Sequence, residues 1–324
     1  MNVLILNPSS YSESHIIKIK KFFNNVHLKN FKNKNDLIIF LKKCKKQKNP
    51  IKVLFTSFGI FYDKEIFQYL AKNSYLISTT TSVTHIDRAN IGKNTSLIYL
   101  DKRIFGEDLK KVPSTAEHTV ALILALYRNL YPAIKSVKEK KWNRENFKGE
   151  ELFNKKIGII GFGRIGKLVA KIMNAFGVKI FYYEKKKIDE KKYKKTTLKY
   201  IFSNCDIISI HLDSRKKNFK FIKKKHISLM KKTSILINTS RGELIDENAL
   251  IKALKDKKIS GAALDVLEDD SSWGSKIQNN KVIKFSSNNH RLIITPHIGG
   301  NTNEASLKTK DLIINELLNK IKYA

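Results

Sequence analysis

Short apolar runs alternate along this chain with stretches in which apolar residues return every three or four positions. In the first hundred residues the runs Asn2–Leu6, Lys52–Phe55, Tyr75–Ser78 and Ser96–Tyr99 predict buried strands. The periodic stretches Ser12–Asn24, Asp36–Lys45 and Asp63–Ala71 predict helices between them, so this part reads as a parallel α/β sheet. Pro113-Ser114-Thr115-Ala116-Glu117 then opens a helix running to about Leu130, with Ser114 and Glu117 spaced as a capping box. Its body, Val120 to Leu126, is apolar nearly all round and has to be covered on several sides.

A second series follows. Strands are predicted at Lys156–Gly161, Val178–Tyr183, Asp206–His211, Ser234–Asn238, Gly261–Asp265 and Leu292–Thr295. Helices are predicted at Arg164–Phe176, Thr197–Ser203, Lys224–Met230 and Glu247–Lys255, which makes a doubly wound pattern. A final helix, Thr302–Ile321, carries Leu307, Ile314, Leu317 and Ile321 at helical spacing and is expected to pack back on the first domain.

Composition narrows the setting. A length of 324 residues suits two domains, and 42% hydrophobic residues suit a globular chain rather than a disordered one. No apolar run approaches the roughly 20 residues of a membrane helix, and the N-terminus lacks the pattern of a signal peptide. Cys44 and Cys205 stand far apart, in no disulfide framework and no metal-ligand spacing, so no metal is expected and a reducing cytoplasm is. Lys and Arg number 63 against 29 Asp and Glu, a net charge of +34. The clusters Lys42-Lys43-Cys44-Lys45-Lys46, Lys185-Lys186-Lys187, Lys191–Lys195 and Lys223-Lys224-Lys225 fall in separate segments without interleaved aromatics. That argues for solvated helix surfaces and nonspecific attraction to polyanions, not specific nucleic-acid recognition.

The first stretch with evident chemistry is Gly161-Phe162-Gly163-Arg164-Ile165-Gly166, which follows the run Ile157–Ile160 and opens a helix. Strand, glycine loop and helix together form the setting of a dinucleotide-phosphate loop. Gly161 permits the turn, Gly163 admits a pyrophosphate, Gly166 lets helix and strand pack, and the helix N-terminus offers N–H groups. Glu184 ends the next strand, where a carboxylate accepts hydrogen bonds from ribose hydroxyls and repels a 2′-phosphate, so NAD is expected over NADP. Downstream, Arg241 has the planar permanent charge suited to a carboxylate. His297 is a proton carrier that an acid such as Asp270 can support.

Asn238-Thr239-Ser240-Arg241-Gly242-Glu243-Leu244-Ile245-Asp246, Gly261–Val266, Thr295-Pro296-His297-Ile298-Gly299-Gly300, Ser114–Leu122 and the glycine loop occur here in order. Through them the chain, from about Lys52 to the C-terminal helix, resembles the D-isomer-specific 2-hydroxyacid dehydrogenases. The resemblance implies that Arg241 binds the substrate carboxylate and polarises the carbonyl, while His297 exchanges a proton with the substrate oxygen. It implies that Asp265 meets the nicotinamide carboxamide, that His211 lies beside the cofactor, and that Asn238 and Thr239 line the nicotinamide pocket. It places the backbone of a loop at Ser82 and Val83 on the substrate carboxylate. Two positions depart from the family pattern. Asp270 stands where glutamate is usual, with Glu268 and Asp269 as neighbouring acids, and Ser82 stands where glycine is usual.

The fold class so implied is α/β, with two doubly wound parallel-sheet domains and an active-site cleft between them. A flavodoxin-like substrate domain would span 1–112, completed by 299–324, and a Rossmann NAD-binding domain 113–298. The expected activity is hydride transfer between NAD(H) and a small 2-oxo/2-hydroxy acid. The expected assembly is a homodimer through the Val120–Leu130 helix and the segment at Trp142. The alternative is an NAD(H)-responsive regulatory protein on the same fold, with chemistry weakened at Asp270.

Overall fold

A computed structural model of the chain describes residues 1–93, 95–268, 270, 277 and 279–323. Asp269, the acid neighbouring Asp270, lies outside the described residues, as does the stretch 271–276. The chain divides into two compact units: Met1–Val112 with the chain from Thr302 onward, and Pro113–Asp270 with the chain up to Asn301.

In the first unit, β1 (Asn2–Leu6), β2 (Asn25–Lys29), β3 (Val53–Phe55), β4 (Ser74–Ser78) and β5 (Thr95–Tyr99) pair in parallel in the order β2-β1-β3-β4-β5. This is a flavodoxin-like order. Between the strands run α1 (Glu13–Phe22), α2 (Lys34–Lys46), α3 (Lys64–Phe67) and α4 (Lys102–Lys110). Alternate strand residues serve two cores. Val3, Ile5, Val53, Phe55 and Ile77 meet α1, α4 and the C-terminal helix, while Leu4, Leu6, Leu54 and Leu76 meet α2 and α3.

The second unit starts with α5 (Ser114–Tyr127) and α6 (Leu130–Lys138) and continues as an alternating series. Its strands are β6 (Lys156–Ile160), β7 (Lys179–Tyr183), β8 (Lys194–Lys195), β9 (Ile207–Ile210), β10 (Ile235–Asn238), β11 (Gly261–Leu264) and β12 (Leu292–Ile294). Its later helices are α7 (Arg164–Ala175), α8 (Leu198–Asn204), α9 (Lys224–Ile227), α10 (Glu247–Lys255) and α11 (Lys281–Ser286); α12 (Asn303–Lys322) returns to the first unit. Among the described residues the sheet reads β12-β11-β10-β9-β6-β7-β8, parallel throughout. The order reverses between β6 and β9, the switch point at which doubly wound sheets open a ligand crevice.

Several elements differ from their sequence expectations for identifiable reasons. Ser114 is not a cap. Pro113 is already helical (φ −86°, ψ −12°) and its carbonyl takes the amides of Ala116 and Glu117 at 2.7 and 3.1 Å. Ser114 therefore lies inside the first turn, and its hydroxyl has no hydrogen-bond partner among the described residues. The same helix stops at Tyr127 because Asn129 turns left-handed (φ 51°), and α6 starts anew. The helices expected at Asp63–Ala71 and Lys224–Met230 are single turns. Beyond Phe67 the chain tightens to i→i+3 bonds, Tyr69 to Ile66 and Leu70 to Phe67, which seats Leu70 in the core. Strand β2 escapes the apolar pattern because its residues are only half-buried or exposed. In α12 the buried stripe is Ala305, Lys310, Ile313, Ile314 and Leu317; Leu307 is 45% exposed, which corrects its expected inward position.

That helix phase is testable by urea denaturation. Ile314→Ala removes fully buried methyls and is expected to lower stability by about 2–5 kcal/mol, whereas Leu307→Ser is expected to change it by less than about 0.5 kcal/mol. Equal losses would place the helix in the wrong rotation.

Candidate active site

The glycine loop sits at the switch point. Gly161 takes φ +95°, and a Cβ there would lie 2.5 Å from the His211 carbonyl oxygen, so both conformation and crowding require glycine. Gly163 is different: it caps α7 in an ordinary extended conformation, and a Cβ there would meet no atom of the described residues within 4 Å. Nothing in the protein itself demands glycine at 163; the open space belongs to whatever approaches the helix N-terminus. Arg164 and Ile165 follow half-buried in the first turn, and burial lowers the arginine's pKa. Glu184, at the end of β7, accepts the Phe162 amide at 3.2 Å and the Lys186 amide at 3.0 Å, so its carboxylate lies against the loop.

His211 follows β9 on the other side of the switch point. Its Nε2 lies 2.8 Å from the Ser209 hydroxyl, while Nδ1 is shut from solvent with no hydrogen-bond partner among the described residues. Burial pushes its pKa down to about 3, so the ring is neutral. An orphaned ring nitrogen beside an open glycine cradle fits a dinucleotide whose polar groups complete both.

Asn238 and Thr239 end β10, fully and nearly fully buried. Asn238 braces the next turn: its Oδ1 accepts the Ser240 amide and its Nδ2 donates to the Arg241 carbonyl at 2.8 Å. Thr239 shares a 2.8 Å hydroxyl contact with Thr119 of α5. A Cβ on Gly242 would overlap the backbone of Leu267 and Glu268, so glycine lets the Arg241 turn press against the chain leaving β11. Arg241 is half-buried. Burial lowers its pKa, and the carboxylates of Asp270 and Glu243 act in the opposite sense.

Two acids near this turn face different partners. The Glu268 carboxylate lies 3.5 Å from Lys220 Nζ, whereas Asp270 Oδ2 lies 2.9 Å from His297 Nδ1. The latter is an ion pair by distance, without hydrogen-bond alignment of those two atoms. The Asp265 carboxylate is buried and holds the loop after β12, accepting the Thr295 hydroxyl at 2.6 Å and the amides of Ile298 and Gly299 at 2.8 and 2.7 Å. Ser82 and Val83 belong to the other unit, after β4. There the Thr80 hydroxyl donates to the Ser82 carbonyl at 2.7 Å, and Val83 is buried. The second unit thus gathers Arg241, Asp265, Asp270 and His297 at the C-terminal ends of β10 to β12, and Gly161 to Gly166, Glu184 and His211 around β6. Among the described residues no group of three or more His, Cys, Asp or Glu is placed to hold a metal ion.

Residues 120–299 match the family described as D-isomer specific 2-hydroxyacid dehydrogenase, NAD binding domain. The chain belongs to that family. Within it, the chain is 36% identical over 198 residues to D-3-phosphoglycerate dehydrogenase of Synechocystis, a match covering 60% of this chain and 34% of that protein. It is 37% identical over 220 residues to glyoxylate reductase of Thermofilum pendens, covering 64% and 62%. Among solved structures, D-lactate dehydrogenase from Aquifex aeolicus, complexed with NAD and lactic acid, superposes with a TM-score of 0.80 at 26% identity over 99% of this chain and 96% of that one. The chain spans only about a third of the phosphoglycerate dehydrogenase it matches.

The dehydrogenase motifs marked the ends of the strands but not what joins them. Ser240, whose hydroxyl donates to the Ile210 carbonyl, and Thr119 and Thr295, whose hydroxyls tie α5 and β12 to the site, received no role from sequence. The signal for Thr119 was present: a hydroxyl following His118 in an otherwise apolar helix has to find a buried partner.

The glycine loop gives a direct test. Gly163→Ala is expected to leave the thermal midpoint unchanged and weaken NADH binding about tenfold, read by nucleotide fluorescence. Gly161→Ala is expected to lower the midpoint itself. Undiminished NADH binding by Gly163→Ala would remove the loop from the cofactor site.

Proposed function

We propose that this protein is an NAD-dependent oxidoreductase that interconverts a small 2-oxo acid and the corresponding D-2-hydroxy acid. The observation that carries the reading is the pairing of His297 Nδ1 with Asp270 beside the half-buried charge of Arg241, in a chain of this dehydrogenase family. NAD(H), when bound, supplies or accepts the hydride. Gly161, Gly163, Arg164, Ile165 and Gly166 would hold its pyrophosphate and Glu184 its ribose hydroxyls. His211, Asn238, Thr239 and Asp265 would flank the nicotinamide.

The protein's own groups do the rest. The Arg241 guanidinium would bind the substrate carboxylate and draw charge from the reacting carbonyl. With Nδ1 turned to Asp270, His297 would offer Nε2 to the substrate oxygen. It would give a proton there in reduction and take it back in oxidation. Asp270, one methylene shorter than glutamate, would fix the orientation of the ring. The backbone at Ser82 and Val83 would also bind the substrate carboxylate. The loops after β3 and β4, residues 56–63 and 79–87, contain no lysine or arginine in a chain of net charge +34, and the first exposes Phe58 and Phe61. That favours an uncharged substrate side chain over a phosphorylated one. The relatives' names, dehydrogenase and reductase, support turnover over a purely cofactor-responsive role. Two buried free thiols accord with a cytoplasmic setting.

The partner we propose is a second copy of the chain. Val120, Leu122 and Ile123 of α5 are buried within their own unit, so the uncovered apolar face lies on α6 instead: Leu130, Tyr131, Ile134 and Val137, with Trp142 90% exposed beyond it. Ile134→Asp is expected to convert a dimer to a monomer by light scattering; an unchanged mass would remove α6 from the interface.

The activity is tested by NADH oxidation across a panel of 2-oxo acids, phosphorylated and not. Turnover of an uncharged acid is expected, and Arg241→Ala is expected to reduce it at least about a thousandfold while NADH still binds. Turnover that survives intact in both Arg241→Ala and His297→Ala would overturn the assignment.

A further inference from the structure

His297 occupies the left-handed region, at φ +56°, with an ordinary L side chain. Such a backbone persists only where its surroundings hold it. The Asp265 carboxylate grips the loop on both sides of His297. Oδ1 accepts the Thr295 hydroxyl before it and the Ile298 amide after it, and Oδ2 accepts the Gly299 amide. Between these anchors the His297 amide turns back onto the Thr295 carbonyl at 2.9 Å. A Cβ at Gly299 would lie 2.8 Å from Asp265 Oδ2 and 3.4 Å from His118 Cδ2, so the glycine gives the carboxylate its close approach.

Behind this grip stands a residue with no assigned role. His118 projects from α5, and its Nε2 lies 3.0 Å from the Thr295 hydroxyl and 3.3 Å from Asp265 Oδ1. The Thr295 hydroxyl has one proton and gives it to Asp265, so toward His118 it can only accept. His118 must therefore carry its proton on Nε2, and the order of donation is His118 to Thr295 to Asp265. Burial works to raise the Asp265 pKa, but His118, Thr295, Gly299 and Ile298 outweigh it and hold the carboxyl below its usual range. The group is a buried anion kept charged by the donors it organises.

We propose that His118 is a positioning residue for proton transfer: through Thr295 and Asp265 it locks the loop that keeps His297 left-handed and its Nδ1 on Asp270. This rests on the role given to His297 above. Without the Nε2–H donor, Thr295 can rotate away, Asp265 loses one side of its grip, and His297 can relax to an ordinary φ that carries the imidazole off Asp270. The cofactor loop lies on other strands and keeps its shape.

The test compares wild type, His118→Ala, His118→Gln and Thr295→Val. Glutamine places an amide N–H near the position of Nε2, while valine keeps the shape of threonine and removes the hydroxyl. Hydrogen exchange followed by mass spectrometry reads the 292–301 segment without reference to activity. His118→Ala and Thr295→Val are expected to lose about tenfold or more of its protection, with the glycine-loop segment unchanged and His118→Gln close to wild type. With the best acid from the panel, the same two variants are expected to lower kcat about tenfold to a hundredfold, with NADH Kd and the acid's KM within about twofold and His118→Gln restoring most of the loss. Joining His118→Ala to Thr295→Val is expected to add little, because both break one relay. Unchanged exchange in His118→Ala, or a His118→Gln variant as slow as alanine, would overturn the proposal. If wild type turns over no acid, the dehydrogenase reading fails, and the exchange comparison still decides whether His118 holds the loop.

Discussion

Much of this structure hangs on one buried anion. Asp265 leaves the end of β11 with its amide on the Asn238 carbonyl of β10, and its carboxylate collects donors from the chain after β12 and from α5. A lone carboxylate in that position would be strongly disfavoured, since burial penalises its charge. Surrounded by N–H and O–H groups it becomes instead the point at which consecutive parallel strands are fixed to one another. Such sheets leave their strand ends unpaired at the C-terminal edge, so the loops there need a cross-brace, and Asp265 supplies it.

The glycines serve the same edge in different ways. Gly161 and Gly242 bring backbone against backbone, the first to His211 and the second to Leu267 and Glu268, and both are dictated by their protein neighbours. Gly163 faces open space. The contrast separates glycine required by the fold from glycine whose use is outside it. The chain's excess of lysine, by comparison, shapes little: it lies mainly on solvated surfaces. Among the described residues Lys310 is the exception. It is buried, donates to the Ser10 carbonyl and the Ser306 hydroxyl, and lies 4.7 Å above the Tyr11 ring, so α12 joins the first unit through a desolvated cation as well as its apolar stripe.

The sequence was legible where physical periodicity is strong. Buried parallel strands such as Ile157–Ile160 and Ile235–Ile237 are nearly continuous aliphatic runs, broken only by Gly158, because both faces are covered, and the glycine loop is readable because strand, turn and helix N-terminus adjoin in sequence. Two of the edge strands were not. Lys194–Lys195 and Asn25–Lys29 bury too little to leave a pattern. The phase of α12 was misjudged because Leu307 looks as apolar as Ile313, and only the neighbour on one side decides which is covered. The break at Asn129 was hidden for a related reason: apolar residues continue across it, while their environment changes from buried on α5 to exposed on α6.

For the site, sequence alone determined which residue types stand at which strand ends: Arg241 after β10, Asp265 after β11, His297 after β12. Their order and chemistry follow from local motifs and from resemblance. Tertiary structure decided their relations. That Asp270 rather than Glu268 meets His297, that His297 is left-handed, and that His118 reaches across from α5 to Thr295 are all matters of distance between segments far apart in the chain. Hydrogen bonds act over about 3 Å, whereas the motifs they join are separated by tens to more than a hundred residues. No local pattern can specify which donor arrives at a given acceptor until the sheet has brought the strand ends together.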